Sequence, residues 1–425
     1  MSASADMPIA TTHELVGEQR EGSLDLWFAA ALIAAYFGAW ITVMTPIMVT
    51  LPLRVAQISP GDKTVNLSSI LGAGALMSAL VGPIWGHLSD RTVSRLGRRR
   101  PWLLASIVLT PLSFTVVALA THIWQMLLGW CTVVLTLNMG QTVMNACVPD
   151  VIPERYRGRV SGLIGLSFPA GLVVGTLLAQ ILRRHVALMF VAPLAFYLAG
   201  AIWLLTVLPD RVVPRERTRL SAMHLIAAFW VNPFSNADFG LCWLNRFLVV
   251  LGYAVFLSYQ SYYLMDHLGV AALQIPAMVF RATTLSSIAT LIACLSGGWA
   301  SDLIGRRKPF VAGGVLMMAM GLVLLGIGSS QSAYYLGATM TGSGEGLYFA
   351  VDLALVSAVL PDKLNSGRYM AVMTLASLLP QSLAPALAPF VLALGKGGNY
   401  PALFVAATVV SILGALAVIP IRSSR

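Results

Sequence analysis

Charge is scarce in this chain. Asp, Glu, Lys and Arg make up 10% of its 425 residues, against about 25% in an ordinary soluble domain. With 57% hydrophobic residues and a mean hydropathy of +0.80, the scarcity excludes a soluble globular fold, which could not bury that much apolar surface. Cysteine is rare too. Cys131, Cys147, Cys242 and Cys294 sit inside apolar runs with no paired spacing, so they read as free, buried thiols and not as a disulfide framework. No Walker loop, metal-ligand cluster or nucleophile elbow occurs, and the six histidines are scattered, with His87, His122, His185 and His267 near the ends of apolar runs. Those absences argue against an enzyme, imply no cofactor, and exclude direct ATP drive by this chain.

What the chain has instead is length of apolar sequence. Leu26 to Leu53 carries no charge, and Trp102 to Pro149 carries none apart from a neutral His122. A helix needs roughly 20 apolar residues to cross the hydrocarbon, so the first run spans once and the second twice. Carried along the whole chain, this reading gives twelve spans, near 25–55, 66–88, 102–121, 123–148, 158–182, 186–208, 239–265, 273–300, 309–329, 332–360, 368–395 and 399–421. Twelve spans put both termini on one side. If that side is the cytoplasm, twenty of the 27 Lys and Arg fall on it, which is the positive-inside bias of a multi-pass protein of the cell membrane. The net charge of +10 therefore sets orientation in lipid and gives no evidence for nucleic acid. Residues 1–22 are polar and include Glu14, Glu18 and Glu21, unlike the basic start of a cleaved signal peptide; a cytoplasmic tail is expected there.

The chain also repeats itself. "GHLSDRTVSRLGRRRP" at 86–101 is echoed by "GGWASDLIGRRKPF" at 297–310, with Asp90 and Asp302 separated by 212 positions. "VPD" ending at Asp150 and "LPD" ending at Asp362 share that offset. Two independent motifs at one offset mark a duplication. The expected layout is a tail at 1–22, a six-helix bundle at 23–208, an Arg- and Pro-rich cytoplasmic linker at 209–237 and a second bundle at 238–425. Parallel six-helix halves form an all-α polytopic membrane protein of a known plan. With its loop after helix 2, the chain resembles the major facilitator superfamily, and the longer form S-D-R-T-x-x-x-x-G-R-R-R-P is most similar to the glycoside-pentoside-hexuronide cation symporters and plant sucrose transporters.

The resemblance implies a transporter working by alternating access, as a single chain, on a small solute with a proton or cation. It also implies that Asp90 and its copy Asp302 belong to a clasp joining the halves. A carboxylate at a helix C-terminus is unfavourable without compensation; Arg91, Arg98 and Arg99 are near enough to Asp90 to supply it, and Arg306 stands by Asp302. Gly86, one turn earlier, is expected to let another helix approach closely. Most of the remaining arginines read as topological anchors.

Charges inside the bilayer are the informative ones. On insertion scales an Asp, Lys or Arg at a helix centre costs about 2.5 to 3.5 kcal/mol, so such groups face a wet cavity or a partner. Helix 10 carries Glu345, Tyr348 and Asp352 on one face. Arg246 of helix 7 and Asp352 both sit roughly 12 to 14 Å from the same end, at 1.5 Å per residue, and are expected to pair. Arg281 of helix 8 approaches the depth of Glu345 more loosely. Asp352 or Glu345 is the expected coupling-proton site, since a carboxyl's proton affinity follows its burial and neighbouring charge; a permanent ion pair holding helices together is the alternative. Helix 4 carries Asn138, Gln141 and Asn145 on one face, suited to a polar solute or to interhelical bonds. In the superfamily helices 1, 4, 7 and 10 line the path, which adds Tyr36, Trp40, Tyr253, Tyr259, Gln260, Tyr262 and Tyr263. Aromatic rings with amides and carboxylates suit a sugar.

Exporters of the superfamily often carry a Gly-Pro pair in helix 5; here Pro169 follows Phe168, so import is favoured. The expectation is proton- or cation-coupled symport of a sugar or similar polar solute. The alternatives are a proton-driven exporter of a drug or secondary metabolite, and a non-transporting receptor on the same fold.

Overall fold

The computed structural model describes residues 24–209, 235–360, 366–395 and 398–421. The expected tail at 1–22, nearly all of the linker and the Pro361–Asp362 motif lie outside the described residues. Among the described residues, twelve long helices succeed one another in chain order. Those of the first half are α1 (Leu26–Ile58), α2 (Lys63–Arg91), α3 (Arg100–Leu119), α4 (Ile123–Val151), α5 (Glu154–Ile181) and α6 (Val186–Val207). Those of the second are α7 (Ala237–His267), α8 (Ile275–Ile304), α9 (Lys308–Ile327), α10 (Gln331–Val359), α11 (Ser366–Leu392) and α12 (Tyr400–Val418).

Eleven of the twelve contain a stretch long and apolar enough to cross a membrane. The exception is α10, whose glycines, hydroxyls, Glu345 and Asp352 dilute its apolar content. Several helices extend beyond the apolar runs: α2 begins at Lys63 and α5 at Glu154. A helix satisfies its own backbone polar groups, so it continues into the polar boundary after its apolar residues are exhausted.

The two halves pack alike. In the first, α1 lies against α5 and α6, α4 against α2 and α3, and α3 against α6. In the second, α7 lies against α11 and α12, α10 against α8 and α9, and α9 against α12. Adding six to each helix number converts one pattern into the other, as the 212-residue offset requires. The halves meet along α2 with α11 and α5 with α8, again a symmetric pair.

Lipid gives no hydrophobic drive for helix association, so close approach depends on small residues. At the crossing of α9 and α10, a Cβ on Gly314 would lie 2.8 Å from both the Gly344 carbonyl oxygen and the Tyr348 amide nitrogen. That backbone contact fixes the face on which α10 carries Glu345 and Tyr348.

Candidate functional site

A cavity of about 640 Å³ lies between the halves, lined by residues of α1, α2, α4 and α5 on one side and α7, α8, α10 and α11 on the other. Its wall is mostly apolar and aromatic, with Trp40, Trp130, Phe168, Phe256 and Phe349 prominent. Asn138, Gln141, Gln260 and Gln381 add amides. Among the described lining residues Glu345 is the only acidic one, and no Lys, Arg or His lines the cavity.

Of the residues expected at the solute site, Trp40, Asn138, Gln141, Tyr253, Gln260 and Tyr348 do line it. The others do not. Tyr36 donates to Asn145 Oδ1 at 2.5 Å, which joins α1 to α4 away from the cavity wall. Tyr259 is fully buried and donates to the Pro385 carbonyl at 3.2 Å, because it faces α11 and not the lumen. Tyr262 and Tyr263 likewise belong to the packing; Tyr263 sits among Tyr334, Tyr400 and Phe404.

The intramembrane charges separate into two environments. Glu345 lines the cavity, as Tyr253 does, and is 7% exposed. Arg281 is exposed and makes no ion pair with Glu345; residue depth alone placed the two together, whereas Arg281 lies on the outer face of α8. Asp352 is 1% exposed, lies off the cavity behind Tyr348, and pairs with Arg246 through Oδ2. Its Oδ1 lies 2.9 Å from the Tyr348 hydroxyl, which also lies 3.0 Å from Asn245 Oδ1. The Asn245 Nδ2 donates to the Gly414 carbonyl at 2.8 Å, so its Oδ1 must be the atom facing Tyr348. A phenol has one hydrogen, and here two acceptors compete for it.

At the end of the bundle opposite the arginine loop, hydroxyls and an ion pair tie the halves together. Ser68 of α2 donates to the Pro385 carbonyl of α11 at 2.5 Å, and Ser261 of α7 donates to the Met48 carbonyl of α1. Both acceptors stand four residues before a proline, Pro389 and Pro52, which has no N–H to return to them. Lys63 pairs with Asp266, whose other oxygen accepts from Tyr400 at 2.6 Å. Tyr262 donates to the Lys63 carbonyl at 3.3 Å. Among the described residues the halves are apart toward the loop end: Gly162 and Gly165 of α5 line the cavity, are exposed, and have no described neighbouring atom within 4 Å of where a side chain would begin. The cavity therefore opens toward the arginine loop and is closed at the other end.

The loop itself is organised around Arg99, which is buried. It bonds Asp90 at 2.8 Å, Asp150 at 3.0 Å and the Ser89 hydroxyl at 2.9 Å, and Arg98 joins Asp150 at 3.1 Å. These bonds tie α2, α4 and the loop together within the first half. The expected link from Asp90 to the other half is replaced here by Arg99, consistent with a loop end that stands open. Arg91 is partly buried beside this cluster. Asp302 and Arg306 are exposed, with no ion pair between them; Asp362, the counterpart of Asp150, lies outside the described residues. At Gly86 a Cβ would meet only Thr142, at 3.8 Å, an ordinary contact, so the expected close approach does not occur in this conformation. Sequence reasoning did not anticipate Asp150 as a partner, although its place in the repeated "VPD" motif was a signal.

The profile of the Major Facilitator Superfamily matches residues 26–281 and 242–425. The chain belongs to that superfamily. Its eleven described helices of membrane-crossing length and composition fit that membership. It is 29% identical over 150 residues to a class H tetracycline resistance protein of Pasteurella multocida, covering 34% of this chain and 36% of that protein. The chain thus spans about a third of that relative's length. With the multidrug resistance protein MdtG of Proteus mirabilis it shares 24% identity over 307 residues, 70% of this chain and 69% of the other. In fold it is similar to a D-xylose-proton symporter, with a TM-score of 0.68 at 16% identity over 94% of this chain and 98% of that one. An uncharacterized symporter of Synechocystis is 32% identical over 94 residues, covering 20% of this chain and 17% of that protein; alongside the resistance proteins, it does not confirm the sugar-cation branch suggested by the loop motif.

Proposed function

We propose that the chain is a proton-driven exporter of an apolar, aromatic-bearing solute, with both termini in the cytoplasm and the chain acting alone. The observation that carries this reading is the cavity wall: a sugar needs many convergent donors and acceptors, whereas this wall offers mainly rings and aliphatic carbons around one carboxylate. The resistance proteins among its relatives support the same direction.

In this scheme α10 couples the two cargoes. Glu345 meets the solute, Asp352 holds the proton, and Tyr348 touches both the cavity and Asp352. Proton loss from Asp352 moves the Tyr348 hydrogen from Asn245 to the carboxylate, which loosens a bond between α10 and α7. The arginine cluster around Asp90 acts as the gate at the loop end; Arg91, Arg98 and Asp150 support it, and Asp302 with Arg306 serves the second half.

The amides Asn138, Gln141, Gln260 and Gln381 favour a second reading, symport of a sugar with a proton or cation. One experiment separates them. Purified protein in vesicles carrying a pH gradient is offered tetracycline and D-xylose. Export predicts that tetracycline moves against the proton flow and xylose does not move; Asp352→Asn abolishes the dependence on the gradient. Accumulation of xylose along the proton flow, with tetracycline unmoved, overturns the exporter reading.

A further inference from the structure

We infer that the cavity selects organic cations, with Glu345 as the counter-ion and the surrounding rings as the cradle. Export as such leaves the charge of the solute open, and this inference rests on the exporter reading only in taking the cavity between the halves as the solute site.

Charge balance is the first reason. A carboxylate in an apolar wall stays charged at a cost unless an opposite charge is near. Other carboxylates of the bundle have fixed partners: Arg246 for the buried Asp352, Lys63 for Asp266 and Arg99 for Asp90 at its two ends. Among the described residues Glu345 has none. The phenol of Tyr253 shares the cavity wall with it, and the arginine nearest in depth, Arg281, is exposed and does not line the cavity. The titratable groups that share the cavity with it are Tyr253 of α7, Cys294 of α8 and Tyr348 of its own helix. None of these is a base that could neutralise it. A carboxylate accepts about four hydrogen bonds, far more than a few neighbouring phenols and a thiol could supply. The missing positive charge is what a cationic solute would bring.

The shape of the wall points the same way. Trp40 and Phe168 meet edge to face at 4.9 Å between ring centres, and Tyr348 and Phe349 at 5.3 Å, on opposite sides of the cavity. Aromatic faces attract a delocalised or alkylated cation through the ring quadrupole, more strongly where water is excluded. A small hydrated inorganic ion would leave these rings unused. A bulky cation carrying rings of its own uses both the carboxylate and the wall, whereas an anion of the same size is repelled by Glu345.

Tetraphenylphosphonium and tetraphenylborate are nearly equal in size and shape and opposite in charge, so their comparison reads the charge preference alone. Binding of each to purified detergent-solubilised protein is measured by equilibrium dialysis. The inference expects the phosphonium to bind more tightly by at least about a hundredfold, since attraction to a unit charge about 5 Å away at an effective dielectric near 20 is of that order by itself and repulsion of the borate adds to it. Glu345→Gln should reduce the preference to about threefold or less, and Glu345→Asp should keep most of it. Equal binding of the two ions by the unaltered protein, tighter binding of the borate, binding of neither, or an undiminished preference in a folded Glu345→Gln protein each overturns it. Dialysis does not read transport direction, so a failed export assay with an intact cation preference overturns the exporter reading alone.

Discussion

Two serine hydroxyls hold the closed end, and removing both should reopen it by a calculable amount. Ser68 and Ser261 each donate across the interface to a carbonyl that a proline four residues later leaves without its helical partner. A neutral hydrogen bond contributes a net 0.5 to 1.5 kcal/mol, about 1 on average. The two bonds join different helix pairs, α2 with α11 and α7 with α1, so their losses should add. Ser68→Ala with Ser261→Ala therefore shifts the equilibrium by about 2 kcal/mol, close to thirtyfold. The hydroxyls make these bonds only while this end is closed, so the shift favours the conformation open there. Cys294 lines the cavity and is a native reporter. With Cys131, Cys147 and Cys242 replaced by alanine, an impermeant maleimide applied from the closed side labels Cys294 at a rate proportional to the minor open population. The double variant should raise that rate about thirtyfold, and each single variant about fivefold. A rise of less than about threefold in the double variant would refute the idea that these bonds hold the end shut.

Packing and charge pairing set three further outcomes. Arg246→Met leaves the Asp352 carboxylate buried without its charge partner and should cost about 3 to 5 kcal/mol, while Arg246→Met with Asp352→Leu recovers most of it; chemical denaturation in detergent reads both. Gly314→Val inserts atoms where α9 meets the backbone of α10, so a lowered unfolding midpoint worth about 1 to 3 kcal/mol is expected from the same titration. Gly162→Leu points into open space in this conformation and should change stability by less than about 0.5 kcal/mol. Transport should nevertheless slow, because closing the loop end brings the other half against this open stretch of α5; a full transport rate would show that the stretch around Gly162 stays open throughout the cycle.

Much of the architecture was legible in the residues. Uncharged runs of membrane-spanning length dictate the helices, since the bilayer leaves backbone groups no other partner. The 212-residue offset dictates two like halves, and the contacts of α1 with α5 and α6 recur as those of α7 with α11 and α12. Arg246 and Asp352 could be matched by depth because residue count along a helix is a distance. Facing is harder. Arg281 stands at a suitable depth but on the outer side of α8, and Tyr259 shares a helix with the lumen-facing Tyr253 yet packs on α11. Such positions depend on the rotation of each helix against its neighbours, which apolar sequence in an apolar solvent constrains weakly.

Composition and periodicity thus determined that this chain crosses a membrane twelve times as a duplicated bundle with acidic groups on its tenth helix. Tertiary structure alone decided that Glu345 faces the cavity without a countercharge while Asp352 is shut behind Tyr348, that Arg99 gathers Asp90 and Asp150, and that Ser68 and Ser261 close one end. The reason is that a charge or hydroxyl has meaning only through its partner, and these partners lie on helices brought together by packing, many residues apart in sequence.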